Sequence, residues 1–440
     1  MKILLKVAGQ GKARDAYDAV IVQKSAAPAP YVRIFIMKKV LIAGGGAAGL
    51  MAAVFAAREG AEVSIFEKEG VPGRKLSASG NGRCNITNNR AAPESYFAGR
   101  EAVSAALSSF GVEKTKAFFE NLGLPLKEED EGRIFPRCER APAVLNILKD
   151  EAERLGVKIV CGSGVNSARR TQSGFEISAG GTTFKADSLV LACGSCAYPQ
   201  IGGAEEGYRL SKSLGHTVTP LTPSLVPLAI KEKSVARLSG IRTQARLTAF
   251  CGSAEIASSR GEILFANYGL SGPAALNLSR ECVRRLKEGR ISVSINLFPE
   301  YQEREAEQFL TRRWEQFSSR PVKRFFLGLL HESVSNLVMD MTGLDRNAVC
   351  SASGPGAMER VRKALLDWHL EVTGHRPWNE AMVCAGGVPV SEIDPENMRS
   401  LKTPGLFLAG ELLDVDGPTG GYNLQFAWSS GMLAGTFAAR

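Results

Sequence analysis

The stretch Met37–Asn88 constrains this chain more than any other. An apolar run, Val40–Ala43, enters the turn Gly44-Gly45-Gly46-Ala47-Ala48-Gly49. An Ala-rich segment from about Ala47 to Glu59 has the composition of a helix, and a second strand, Glu62–Phe66, ends on Glu67. The spacing predicts strand, helix and strand, with G-x-G-x-x-G at Gly44, Gly46 and Gly49. The first glycine permits the tight turn, the second lets backbone approach a pyrophosphate, and the third lets the helix pack on the strand. Free N–H groups and the dipole at the helix start favour an anion. Glu67, at the tip of the second strand, is placed to accept from ribose hydroxyls. A glycine triplet alone is weak, and its plainer reading is a turn in a parallel α/β sheet. The preceding strand, the following helix and the acid at the right distance together predict a dinucleotide site.

The chain has 440 residues, 44% of them hydrophobic, enough for two or three domains. With 22% charged residues it reads as an ordinary globular protein. No apolar run reaches the length of a membrane span. Nine scattered cysteines form no disulfide framework, which predicts reduced thiols and a cytoplasmic setting. Cys193 and Cys196 have C-x-x-C spacing. A redox pair is the sharper reading, and incidental cysteines the preferred one. No second ligand pair exists to complete a zinc site, so no metal is expected. The net charge of +9 permits a nucleic-acid partner without calling for one.

Residues 1–36 carry six basic residues against two acidic ones and include the linker-like run from Ser25 to Pro30. They are expected to be a disordered or mis-started extension, with Met37 the natural start. Residues 37–205 are expected to hold the first part of a nucleotide-binding domain. Residues 91–155 read as helices with turns, and Leu145–Leu155 is amphipathic. Strands are expected at Val157–Val160, Gly174–Ser178, Thr183–Ala186 and Ser188–Ala192. The last is a buried-type run leading into Cys193-Gly194. Short strands between turn residues predict a β-rich insert over 206–298. A helical subdomain is expected over 299–345, and a return to the insert over 346–380. Residues 381–440 return to the parallel-strand pattern. There the strand Gly405–Gly410 ends at Glu411, and Gly420-Gly421 precede a helix over about Asn423–Ala438.

Three glycine-marked strand ends, from the start, middle and end of the chain, suit a long ligand lying across a sheet, and FAD is such a ligand. Amides at a helix opened by Gly420 and Gly421 could face the flavin N1–C2=O edge and stabilise its anionic reduced form. The plainer reading is a capped structural helix.

The run Gly73–Asn88 resembles the signature of the BaiN/YhiN-like family of NAD(P)/FAD-dependent oxidoreductases. Tyr268–Pro273, Ala385–Val388 and Gly410–Gly431 resemble its other marks, and the likeness covers about residues 37–440. It implies an α/β fold: a Rossmann-like GR2-type FAD-binding domain formed by both chain ends, with an antiparallel β insert and a helical subdomain. It implies pyrophosphate contacts from Gly46, Ala47 and Ala48, a ribose contact from Glu67, and Lys68, Arg74, Lys75 and Leu76 near the phosphates. Val165 matches an adenine contact and Gly194 the middle-strand turn. Gly410 and Glu411 match a ribityl contact, although Glu411 stands where many flavoproteins have Asp. Asn85, Gly420, Gly421, Asn423 and Leu424 fall near the ring.

Asn81–Asn85 would approach the isoalloxazine. Arg83 is a candidate to hold an anionic substrate or stabilise reduced flavin, and Cys84 and Tyr422 are candidate proton donors. For Cys84 simple packing is the preferred reading, and Tyr268, Trp378 and Tyr422, as single aromatics, are more often core. The four histidines show no ligand or triad spacing, and no G-x-S-x-G elbow points to a hydrolase. No second complete G-x-G-x-x-G appears. NADH or NADPH, if used, therefore binds without its own Rossmann domain, or another donor serves. The sequence predicts an FAD-dependent oxidoreductase, and the family resemblance implies NAD(P)H-linked reduction of a conjugated C=C bond in a small, steroid-like substrate. The alternatives are an aminoacetone-type amine oxidase and an FAD-containing RNA-binding or RNA-modifying protein.

Overall fold

The computed structural model describes residues 37–440, so the expectations for residues 1–36 fall outside the described residues. Five parallel strands lie in the order Leu406–Leu408, Ser188–Leu191, Lys39–Ala43, Glu62–Phe66 and Lys158–Val160. Their near-continuous apolar sequences follow from burial on both faces; Val40–Ala43 and Ser188–Leu191 are buried throughout. Two short antiparallel strands, Arg399–Ser400 and Ile393–Asp394, finish one edge. The central strand Lys39–Ala43 is thus flanked by one strand from the start of the chain and one from its middle. Their carboxyl ends form the crevice where ligands bind in open α/β sheets.

The helix Ala47–Arg58 packs on the C-terminal helix Tyr422–Ala438. Their approach is close because two glycines of the last helix face the first: a Cβ on Gly431 would stand 2.4 Å from the Ala48 carbonyl oxygen, and one on Gly435 2.1 Å from that of Ala52. The two ends of the chain therefore share one core.

A second core fills a closed six-stranded barrel in the order Leu228–Ile230, Gly269–Ser271, Ala254–Ala266, Arg242–Cys251, Ile291–Asn296 and Trp368–His375. The α/β architecture with an inserted antiparallel β subdomain is as the sequence predicts, and closure of the insert removes its open edges. The helices Glu303–Gln316, Val322–Phe326, Glu332–Thr342 and Ala357–Leu366 lie between the last two barrel strands in sequence. The helical segment thus runs past 345. At the other boundary, the helix Glu206–Ser213 buries Tyr208 and Leu210 in the first core, so the α/β layer runs past 205.

Two further pieces differ from expectation. Val165–Thr171 is a strand of a three-stranded meander with Gly174–Ala179 and Thr182–Ala186. Its largely exposed Asn-Ser-Ala-Arg-Arg sequence carries little apolar alternation. A hairpin, Leu126–Glu129 with Arg133–Pro136, interrupts the helical region 91–155 and adds the short strand Thr87–Asn88.

Candidate functional site

The carboxyl ends of the parallel strands and the outer face of the barrel enclose a cavity of about 940 Å³, near the upper size of small-molecule sites. Gly44, Gly46, Ala47 and Ala48 line its inner end, with Glu67 and Lys68 beside them. Arg74, Lys75, Leu76, Asn85, Val165 and Gly194 join from the first half of the chain, and Gly410, Glu411, Gly420, Gly421, Asn423 and Leu424 from its end. Gly49 does not line the cavity. A Cβ there would lie 1.9 Å from the Gly44 carbonyl oxygen, so this glycine serves helix–strand packing.

The three motif glycines are thus physically distinct. Gly44 has φ +104°, and a Cβ on it would meet the Ala192 carbonyl oxygen at 2.4 Å. Gly46 has an ordinary φ of −77°, and a Cβ on it would meet nothing within 4 Å. It faces open cavity. The helix that follows has no side-chain cap and no acidic residue in its first turn, so its leading amides keep their affinity for an anion.

Glu67 is pinned. Its Oε2 accepts from the Gly45 N–H at 2.7 Å and its Oε1 from the Glu69 N–H at 2.9 Å. A carboxylate has lone pairs beyond these two bonds, so it can still accept from a ribose. Glu411 is paired with Lys75 at 2.5 Å and accepts from the Ser195 hydroxyl at 2.9 Å. Arg74 pairs with Glu69, and Lys68 lies 3.9 Å from Glu206. Each of the cations expected near the phosphates therefore already has a carboxylate neighbour.

The signature run 81–88 supports the start of the last helix. The Trp428 indole N–H donates to the Ile86 carbonyl at 2.9 Å, the Thr87 hydroxyl pairs with Gln425 at 2.5 Å, and the Asn88 amide donates to the Gly420 carbonyl at 2.9 Å. A Cβ on Gly421 would collide with the Thr87 carbonyl oxygen at 2.5 Å, and its φ of +100° suits glycine. Asn423 closes the loop before the helix through two 2.9 Å bonds to the Gly417 backbone. Asn85 Oδ1 is buried without a hydrogen-bond partner and lies on the cavity. An orphaned acceptor of this kind is costly unless a ligand donor satisfies it. The open Gly46 cradle, the uncapped helix start and this acceptor fit an elongated dinucleotide bearing a polar ring.

The three residues expected at the reacting end separate. Tyr422 lines the cavity, and its carbonyl accepts from the Tyr96 hydroxyl at 2.7 Å. Burial raises its phenol pKa, so it stays protonated near neutral pH. Arg83 also lines the cavity, over the Phe135 ring at 4.1 Å. It is paired with Glu129 and lies 3.2 Å from Glu139, and these carboxylates compete with any anion it could hold. Cys84 is the correction. It is wholly buried, does not line the cavity, and burial pushes its thiol up to about 12. It packs the signature turn at φ +59° and is not a proton donor to the cavity.

Sequence reading missed the outer walls. Leu225, Leu276 and Met382 cluster as an apolar wall of the cavity, joined to the loop before the last helix where Asn277 accepts from the Thr419 N–H at 2.8 Å, and Arg90, Arg133, Arg242 and Arg260 also line the cavity. Arg242 and Arg260 project outward because their strands turn Ala245, Leu247 and Ile263 into the barrel. That alternation is readable only once the strand register is known. Tyr268 and Trp378 do not line the cavity; Tyr268 lies under the Arg376 guanidinium at 4.7 Å. Among the described residues no cluster of metal-ligating side chains and no membrane-spanning helix is present.

The family model described as the HI0933-like protein Rossmann domain matches residues 38–437. A 3-dehydro-bile acid delta(4,6)-reductase of Clostridium scindens is 36% identical over 409 residues, covering 92% of this chain and 99% of that protein. A ribosomal RNA dihydrouridine synthase of Haemophilus influenzae is 30% identical over 398 residues, covering 89% and 96%. A protein of the same name from Escherichia coli is 30% identical over 397 residues, covering 89% and 95%. Among solved structures, a flavocytochrome c3 fumarate reductase aligns with a TM-score of 0.46 at 15% identity, over 92% of this chain and 78% of its own. A 3-ketosteroid delta1-dehydrogenase from Sterolibacterium denitrificans aligns with a TM-score of 0.49 at 12% identity, over 91% and 99%.

Proposed function

From the premise that this chain belongs to the HI0933-like family and is an FAD-dependent oxidoreductase, we propose that it reduces a C=C bond conjugated to a carbonyl in a small apolar substrate. The observation that carries this reading is the continuity of the cavity, which runs from the Gly46 cradle to the apolar wall of Leu225, Leu276 and Met382. FAD, when bound, supplies the two-electron chemistry of hydride transfer. Gly44–Ala48 and Glu67 would hold its dinucleotide end, Glu411 and Lys75 its middle, and the helix start after Gly421 its ring. The apolar wall excludes water and seats the substrate skeleton. Reduction of an enone also requires a proton at the α carbon. We assign that proton to Tyr422, which is neutral and lines the cavity. NADH or NADPH enters by the open side of the cavity, without a Rossmann cradle of its own.

The test is an anaerobic visible spectrum of the purified holoenzyme with NADH, then NADPH, then a conjugated keto-steroid. Bleaching by a nucleotide and recovery with the enone are expected. A flavin left oxidised by both nucleotides, or peroxide formed on adding an amine such as aminoacetone, would overturn the reading. Tyr422→Phe is expected to slow recovery by roughly 10²–10⁴-fold, the range for a lost general acid, while bleaching keeps its rate.

One observation favours a second reading. The arginines Arg90, Arg133, Arg242 and Arg260 suit a polyanion, and two relatives carry the name of RNA dihydrouridine synthases. The uracil C5=C6 bond is itself conjugated to a carbonyl, so the same chemistry serves a base displayed in the cavity. Recovery of the bleached spectrum by uridine-containing RNA but not by the steroid, with a steep salt dependence, would shift the assignment to it.

A further inference from the structure

The C-x-x-C pair does not act as a unit. Cys193 turns its thiol to the Ala43 carbonyl at 3.4 Å, and burial pushes it up to about 12. Cys196 instead faces Cys384, 188 positions away in sequence, with 3.9 Å between the sulfurs. Cys196 lies on the loop that leaves the strand Ser188–Leu191, immediately after Gly194, which lines the cavity, and Ser195, which donates to Glu411. Cys384 lies in the strand Val383–Ala385, opposite Pro223. Val383 beside it lines the same cavity.

We propose that Cys196 and Cys384 are a reversible thiol–disulfide pair, oxidised by hydrogen peroxide, that ties the strand-end loop of the dinucleotide cavity to the strand Val383–Ala385. Three features support it. A disulfide needs the sulfurs to close from 3.9 Å to about 2.05 Å, a movement on the scale of side-chain rotation. Cys196 is partly exposed and Cys384 buried, the arrangement of an attacked cysteine beside its resolving partner. The buried Tyr208 hydroxyl borders both sulfurs, so the pair sits beside a polar group inside the fold. The Cys196 thiol donates to the Cys384 sulfur, and the contact between the two sulfurs lowers the Cys196 thiol pKa against its partial burial.

The step balances. The Cys196 thiolate attacks one peroxide oxygen and breaks the O–O bond, giving a sulfenic acid and, with a proton, water. The Cys384 sulfur then displaces the sulfenic oxygen as a second water and forms the S–S bond. Two thiols have lost two electrons and two protons, and one peroxide has become two waters. A small dithiol reverses the change by exchange. In the oxidised form Gly194 and Ser195 are held on a loop fixed at both ends, so the grip on the dinucleotide tightens or slackens with the redox state.

The test treats the holoenzyme with hydrogen peroxide, alkylates the remaining thiols, digests the chain and maps linked peptides by mass spectrometry. A link between the Cys196 and Cys384 peptides, lost on adding dithiothreitol and retained in Cys193→Ser, is expected. In Cys384→Ser the oxidised Cys196 has no resolving partner, so dimedone should trap its sulfenic acid. Recovery of both cysteines alkylated after peroxide, a Cys193–Cys196 link, or no dimedone adduct in a Cys384→Ser protein that keeps its flavin absorbance would each overturn the proposal.

Discussion

Gly44 and Gly46 are two letters apart and do opposite work. At Gly44 a Cβ would strike backbone 2.4 Å away on a residue whose φ is already +104°, so Gly44→Ala strains the fold itself. At Gly46 a Cβ would enter only empty cavity from an ordinary backbone conformation. Gly46→Ala is therefore expected to fold with an unchanged melting temperature while losing at least tenfold in FAD affinity, about 1.4 kcal/mol, as read by flavin titration of the apoprotein. An alanine variant that melts early would place the glycine in the scaffold instead. The glycine spacing was readable from the sequence, and so was the separate role of its third member, Gly49. What the sequence could not supply was the direction each missing side chain would have taken. The same limit governs Cys84. Its place inside the signature suggested chemistry, but its left-handed backbone turns the thiol into the core, away from the cavity.

The elements that decide the site are the first and last helices and the corner that holds the sheet edge. Gly431 and Gly435 let Tyr422–Ala438 lie against the carbonyls of Ala48 and Ala52. Gly435→Ala is expected to destabilise the protein by about 1–3 kcal/mol through overpacking. Because the same helix presents its start to the cavity, flavin retention should fall in step, which denaturation with fluorescence detection of released FAD would show. The corner is built on His216, buried between Glu392 at 2.9 Å and Ser400 at 2.8 Å. Burial, opposed by Glu392, holds the His216 pKa below its ordinary 6.5, so the unfolded chain takes this proton first and stability falls as pH drops through 6.5. Burial raises Glu392, but bonds from Lys402, Thr217 and His216 outweigh it and hold the carboxyl at about 2. Its contribution is complete above about 4.5 and lost on the way down to 2. Glu392→Gln is expected to cost about 2 kcal/mol at pH 7 after allowance for solvent screening, with the difference closing as pH approaches 2. Urea titrations across that range would check it. The parallel strands were legible because burial on both faces leaves an unbroken apolar run. Val165–Thr171 was not, because an exposed meander strand needs only neighbours to pair with. The helix start at Tyr422, one residue before the expected Asn423, is set by Gly421 against Thr87, a contact between the two ends of the chain.

At the scale of the whole molecule, two hydrophobic cores have to keep one cavity in shape between them. A buried ion pair spans the gap. Arg280, on the helix Pro273–Arg285 against the barrel, gives its Nε to both carboxylate oxygens of Asp416 at 3.1 and 2.9 Å. Asp416 lies on the loop that leads into the last helix, and Ser224 donates to it at 3.2 Å. All three residues are almost wholly buried, Arg280 at 5% exposure, Asp416 at 1% and Ser224 at 0%. Taking such charges out of water offsets most of their attraction, so the pair adds little net stability, while removing one partner leaves a buried unpaired ion. Because Arg280 keeps Glu281 at 2.7 Å whereas Asp416 has no second cation partner among the described residues, Arg280→Met is expected to destabilise by about 3–5 kcal/mol, and the apolar double replacement Arg280→Met with Asp416→Leu should recover most of that loss. The pair also sets how the wall carrying Leu276 meets the loop that leads through Thr419 into the helix start at Tyr422. The double variant should regain its melting temperature yet show a raised KM for the reducible substrate with FAD affinity unchanged. Steady-state kinetics on the refolded double variant would separate these effects. A KM restored along with stability would mean that shape packing, and not the charge pair, holds the two halves in register.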